Sequence, residues 1–125
     1  MQIFHGIRTV TAAAVLLMAT HVHATEPCRL IRGRAHLYGG DGRLRIWEVG
    51  THHEYVPDDS SWDTVVGWLE AGVTEADRVK YVSAPSMVYL FADFFVCPTE
   101  AFRKGSVQRA EIKSASHRRY TKTTE

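Results

Sequence analysis

The chain has 125 residues and a formal net charge of +1, with 45% hydrophobic, 10% aromatic and 23% charged side chains. That composition excludes global disorder, a collagen repeat and a polytopic membrane protein, and the length suits one core rather than two domains joined by a linker. A charge so close to zero disfavours a general polyanion binder, so no nucleic-acid partner is expected.

Met1 to Ala24 reads as a removable signal peptide. Arg8 supplies a positive start, Val10 to Thr20 is apolar apart from its threonines, and Val22 and Ala24 put small residues where a signal peptidase reads them. Cleavage between Ala24 and Thr25 is the expectation, giving an exported protein, periplasmic or secreted. A spanning helix needs about 20 apolar residues. This run is shorter and is closed by His21 and His23, so no stable membrane insertion is expected after cleavage; an uncleaved anchor is the alternative. With Arg8 removed, 14 acidic side chains face as many basic ones, but unevenly. Arginines crowd Thr25 to Ile46, acids fill Trp47 to Asp77, and basic residues dominate from Arg78 onward. Such blocks attract one another within a fold or match a partner's pattern.

Export changes the reading of Cys28 and Cys97, which can oxidise and persist outside the cytosol. One disulfide is expected, worth about 4 kcal/mol at most on the chain-entropy model. Two buried thiols are the alternative.

The strongest local signal comes next. Arg32 to Tyr38 alternates, with Ala35 and Leu37 on one face and Arg34, His36 and Tyr38 on the other. Arg43 to Val49 alternates again, with Leu44 and Ile46 opposing Arg43, Arg45 and Trp47. Gly39-Gly40-Asp41-Gly42 lies between, which predicts a β-hairpin. His52 to Val56 is expected as a short third strand. Asp59 to Gly72 carries Trp62, Val65, Val66 and Leu69 at helical spacing, with Ser60 placed to cap and Gly72 to close a helix. Thr74 to Lys80 is a further helical turn or a loop. Met87 to Cys97, dense in aromatic and β-branched residues, predicts a strand buried on both faces at the centre of the sheet. Ser106 to Ser114 offers another alternating strand with Ala110 and Ile112 inward, and residues 116–125 read as a disordered polar tail. The fold class expected is α+β or mainly β: a single small domain over 25–115, with an antiparallel sheet of about four to five strands and one covering helix.

Three segments carry a resemblance: RGRAHLYGGDGRLRIWEVGT (Arg32 to Thr51), ADFFVCP (Ala92 to Pro98) and GSVQRAEIKSAS (Gly105 to Ser116). They resemble an uncharacterised family of small exported bacterial proteins with RIWxVGT and ADFxVCP segments. The resemblance implies export and a β-rich domain and supplies no activity. Similar proteins carry an asparagine near Gly40 or Asp41 and a cysteine where this chain has Glu111, which leaves open whether Cys97 pairs with Cys28 here.

The side chains that could carry chemistry are few. His52 with Glu54 could contribute to a zinc or copper site, since residues two apart on a strand share a face, but a third ligand such as His36 or Asp58 must come from the fold. Solvated loop histidines are the plainer reading. Arg34, Tyr38, Arg43, Arg45 and Trp47 share one hairpin face, together with Arg32, if the alternation holds. Guanidinium forks among aromatic rings can hold carboxylates, phosphates or sugars, or they can simply pack on Trp47 and Tyr38 by cation–π contact. Gly-x-Ser-x-Gly, His-Glu-x-x-His, a phosphate loop and a paired-cysteine motif are all absent from the sequence, so no catalytic residue, metal or cofactor is assigned. The function expected is therefore an exported, non-catalytic interaction or ligand-binding module for a small anionic or glycan ligand or a protein partner. A periplasmic metal-binding protein using His52 and Glu54 is the second reading, and a small hydrolase the third.

Overall fold

The computed structural model describes residues 26–123, so the expected signal peptide and its Ala24–Thr25 junction lie outside the described residues. β1 (Arg29–Tyr38) and β2 (Arg43–Glu48) form the expected hairpin, paired antiparallel from Gly33↔Glu48 to Tyr38↔Arg43. The loop turns on Gly42, whose φ of 69° is one that L side chains rarely adopt, and the Gly42 N–H closes it on the Tyr38 carbonyl at 2.9 Å. β3 (Glu54–Pro57) pairs antiparallel with β2 and starts two residues later than the His52 expected, after a bend. β4 (Val88–Pro98) pairs with β1 and with β5 (Gln108–Lys122), both antiparallel, and β5 pairs with β3 in parallel. The order β1-β2-β3-β5-β4 closes into a barrel. The domain is thus mainly β with five strands, as expected, while the closure and the parallel pair are features that alternation along the chain does not encode.

The inward residues form one core. Ile31 and Ala35, Leu44 and Ile46, the even-numbered residues from Val88 to Val96, and Ala110, Ile112 and Ala115 are buried. Between β3 and β4 the chain makes α1 (Trp62–Glu70), α2 (Glu75–Lys80) and a short 3-10 turn (Ala84–Met87). α1 lays Val65 and Leu69 into the barrel core, with Trp62, Val66 and Trp68 packed around them. Five strands in this order, with a covering helix between the third and fourth, have the layout of an OB-type Greek-key barrel.

Three expectations need correction. β4 is not buried on both faces: it alternates, with Tyr89, Phe91, Asp93 and Phe95 directed outward. The tail expected to be disordered is instead strand as far as Lys122. Register shifts between Phe91 and Asp93 and between Phe95 and Val96 each admit an extra residue on β5, so its inward set changes parity from Ala110 and Ile112 to Ala115 and back to Tyr120. Two bulges therefore erase the period-2 signal that would have announced the strand. Finally, Ser60 does not cap α1. Asp58 Oδ1 gathers the hydroxyls of Ser60 and Ser61 (both 2.8 Å) and the Ser61 N–H (3.1 Å), while Ser61 Oγ accepts the buried Ile112 N–H at 3.1 Å. Partial burial of Asp58 works against its ionisation, but these hydrogen bonds hold the carboxyl below its ordinary range.

Candidate functional site

Residues directly opposite across a strand pair project to the same side of a sheet. Register therefore assembles cross-strand rows on the outside of the barrel. Trp47, Arg34, Phe91 and Arg119 stand in one row across β2, β1, β4 and β5. Arg45 stands opposite His36, and Arg43 opposite Tyr38. All five hairpin residues singled out from the sequence, Arg34, Tyr38, Arg43, Arg45 and Trp47, lie on this outer face. Sequence reasoning missed the contribution of β4 and β5, namely Tyr89, Phe91 and Arg119.

Arg34 is the centre of the arrangement. Its Cζ lies 4.9 Å from the Trp47 ring centroid and 4.8 Å from that of Tyr89, so two aromatic rings hold the guanidinium. Among the described residues its group makes no hydrogen bond and no ion pair, and its buried Nε is unpartnered. Guanidinium donors point outward in the plane of the group. A guanidinium held between rings keeps its edge for a carboxylate or phosphate. Trp47 is itself held by its Nε1–H, which donates to the Thr51 carbonyl at 2.7 Å.

The neighbours are more committed. Arg43 lies 5.6 Å from the Tyr38 centroid and pairs through Nε with Asp41 Oδ2 at 2.7 Å. Slight desolvation opposes ionisation of Asp41, yet the Arg43 side chain and N–H hold its carboxyl below the usual range. Arg45 donates to the Leu44 carbonyl at 2.9 Å and has no carboxylate partner among the described residues. His36 is buried on the same face, edge-on to Tyr38 at 4.7 Å and tilted against Tyr89 at 4.4 Å. Its Nδ1 lies 3.1 Å from the Val88 carbonyl, which can only accept, so this nitrogen carries the proton. A cleft of about 610 Å³ opens beside these groups, between the Gly39–Asp41 loop, Ser86 and Tyr89.

His52, the histidine proposed as a ligand with Glu54, and its neighbour His53 are placed differently. His52 is exposed in the bend before β3, whereas His53 stacks on Tyr55 at 4.2 Å and donates through Nε2 to Gln108 Oε1 at 2.8 Å. Gln108, 1% exposed, in turn donates to Glu26 and to the Glu100 carbonyl, and Arg29 joins Glu48 (2.9 Å) to the Tyr55 hydroxyl (2.6 Å). This network ties together the starts of β1, β3 and β5, a structural use for His53. Among the described residues no three His, Cys, Asp or Glu side chains converge on a metal position, so His52 and Glu54 gain no third ligand. For hydrolysis the nearest constellation is His117 Nδ1, 3.0 Å from Asp93 Oδ2, but Ser116 Oγ donates to the Asp93 carbonyl at 3.4 Å rather than to the imidazole.

Cys28 and Cys97 form the expected disulfide, with Cα atoms 4.1 Å apart and a separation of 69 residues. Among the described residues no helix is long and apolar enough to cross a membrane. No family model, no curated protein and no solved structure matches the chain.

Proposed function

We propose that the protein is an exported, non-catalytic binding module whose outer barrel face takes a small anionic or glycan ligand at Arg34, with Arg45 and Trp47 beside it and Tyr38 and Arg43 at the hairpin end. The observation that carries this reading is the guanidinium of Arg34, held between Trp47 and Tyr89 with no protein acceptor among the described residues. A planar fork stacked on aromatic rings loses little freedom on binding a carboxylate and can do so through two parallel hydrogen bonds. OB-type barrels also bind ligands on the outer face around their second and third strands, an analogy of fold that agrees with the site and does not replace it. Export is supported by the leader read from the sequence and by the disulfide, since such bonds persist in oxidising compartments. Kinship with the uncharacterised exported family rests on the three sequence segments alone.

The test uses Arg34→Lys, which keeps the charge and the aliphatic stem but removes the fork. Tryptophan fluorescence is titrated with galacturonate, glucose and inorganic phosphate, with Trp47→Phe identifying which ring reports. Galacturonate or phosphate should perturb Trp47, and Arg34→Lys should weaken binding about tenfold, the equivalent of one charge-assisted hydrogen bond. A panel with no response in the wild type, or equal affinity in Arg34→Lys, overturns the reading.

A further inference from the structure

On the other side of β1 the outer face continues into a second groove, of about 610 Å³, that includes Arg32, Phe91, Asp93, His117 and Arg119. The groove owes its shape to the β5 bulge, where His117 has a φ of 52° and is the one non-glycine residue with positive φ among the described residues. A bulge re-aims a side chain, and a non-glycine residue held in the left-handed region is kept there by its surroundings. Here the imidazole is directed onto Asp93, with Nδ1 at 3.0 Å from Oδ2, while Arg32 Nε reaches the other carboxylate oxygen at 4.0 Å. Arg119 faces Phe91 across the pair, is exposed, and makes no ion pair among the described residues. One carboxylate thus stands among two guanidinium groups and an imidazole, and the groove retains an excess of donors. Arg118 also borders it but is turned away, its Nε donating to the Ala115 carbonyl at 2.8 Å and its guanidinium lying over Trp68.

We propose that this groove is a second anion subsite, and that the face takes an acidic oligosaccharide whose carboxylates engage Arg34 and Arg119 together. This rests on the Arg34 reading and extends it. The two guanidinium-bearing strands are separated by β4, hence by two strand spacings, about 10 Å. One sugar ring cannot bridge that distance, whereas a short acidic oligomer can, and joining two weak sites in one ligand raises affinity through effective concentration. Single-stranded nucleic acid is the other elongated polyanion. It relies on a run of aromatic faces open for base stacking, but Trp47 and Tyr89 already hold Arg34 and Tyr38 is engaged by Arg43 and His36, which leaves Phe91 alone of this group without such a contact among the described residues. Planar guanidinium edges remain, and these match carboxylates.

Isothermal titration of the intact mature protein with galacturonate, a short oligogalacturonate and oligo-dT decides the matter. The oligogalacturonate should bind about tenfold more tightly than the monomer. Arg119→Gln should remove roughly fivefold of that gain and leave the monomer unchanged, because an exposed charge contributes modestly. His117→Asn, which tolerates the left-handed backbone, should act in the same direction, and both variants should keep the wild-type urea midpoint. Arg34→Lys should weaken both sugars. If Arg119→Gln and His117→Asn leave oligogalacturonate binding unchanged while Arg34→Lys weakens it, the second subsite is wrong and the first reading stands. If neither sugar binds, both are wrong, and tighter binding of oligo-dT replaces the glycan with nucleic acid.

Discussion

Two glycines illustrate how context sets the sign of one methyl group. A Cβ at Gly33 would stand 2.8 Å from Phe94 Cδ2 and 2.9 Å from Ile46 Cγ2, closer than carbon atoms pack, and both neighbours are fully buried in the core. Gly33→Ala is expected to cost about 1 to 3 kcal/mol by overpacking. Gly67 lies exposed within α1, and a Cβ there meets nothing within 4 Å. Gly67→Ala is expected to gain roughly 0.4 to 1 kcal/mol, because alanine restricts the unfolded chain and suits a helix. Urea unfolding of both variants checks the pair through opposite shifts in midpoint. Arg34 belongs to the same scale. Trp47 was legible as its neighbour because the hairpin is local, while Tyr89 was not, since it reaches Arg34 only through the distant β1–β4 pairing.

Among the elements, β5 does the most to join barrel and helices. Tyr120 donates its hydroxyl to the Trp68 carbonyl at 2.7 Å, and Lys122 pairs with the nearly buried Asp77 of α2 at 2.9 Å. The Lys122 ammonium beside Oδ2 outweighs the desolvation of Asp77 and holds its carboxyl below the ordinary range, with the Thr74 side chain assisting. A carboxylate whose folded value is depressed contributes stability above the unfolded value, about 3.9, and loses it as pH falls through the folded one. Lys122→Met should therefore destabilise the protein at about pH 7, and its deficit against the wild type should shrink on acidification toward about pH 3. Urea midpoints across that range check it; a deficit independent of pH would mean that the methylene stem, not the ion pair, makes the contribution. The same strand explains the error over the tail. Alternation in the sequence is visible only while register is regular, and the bulge before Ala115 and the one at His117 interrupt it twice in a few residues.

At the level of the whole molecule, near-zero net charge conceals segregation. Arg32, Arg34, Arg43, Arg45 and Arg119 outnumber Glu54 and Asp93 in the outward rows of the barrel, while the two helices carry Asp63, Glu70, Glu75 and Asp77 against Arg78 and Lys80. A binding face can therefore be cationic on a chain whose charges balance. The disulfide operates at this scale too, tying the start of β1 to the end of β4 across 69 residues. Expressed with its leader in a bacterium, the protein should be recovered from the periplasm starting at Thr25, with an intact mass two hydrogens below that of the reduced chain and no thiol open to alkylation. The double variant Cys28→Ser/Cys97→Ser should lose about 2 to 4 kcal/mol of stability. Retention of the full leader, or alkylatable thiols in the native protein, would overturn the exported reading.

The sequence by itself determined the local and the near. It specified the β1–β2 hairpin, because period-2 alternation and a glycine loop act within a few residues, the α1 face built on Val65 and Leu69, and the inward direction of Ala110 and Ile112. It also nominated Cys28 and Cys97 as partners, since two cysteines allow a single intrachain bridge and the leader reads as an export signal. Tertiary structure decided what depends on pairing between distant segments: closure of the barrel, the parallel β3–β5 contact, and the meeting of Tyr89 and Arg119 with the hairpin arginines. The reason is physical. A strand declares which of its faces is buried, but which strand lies beside it is settled by the packing of one shared core, and no short window of sequence contains that competition.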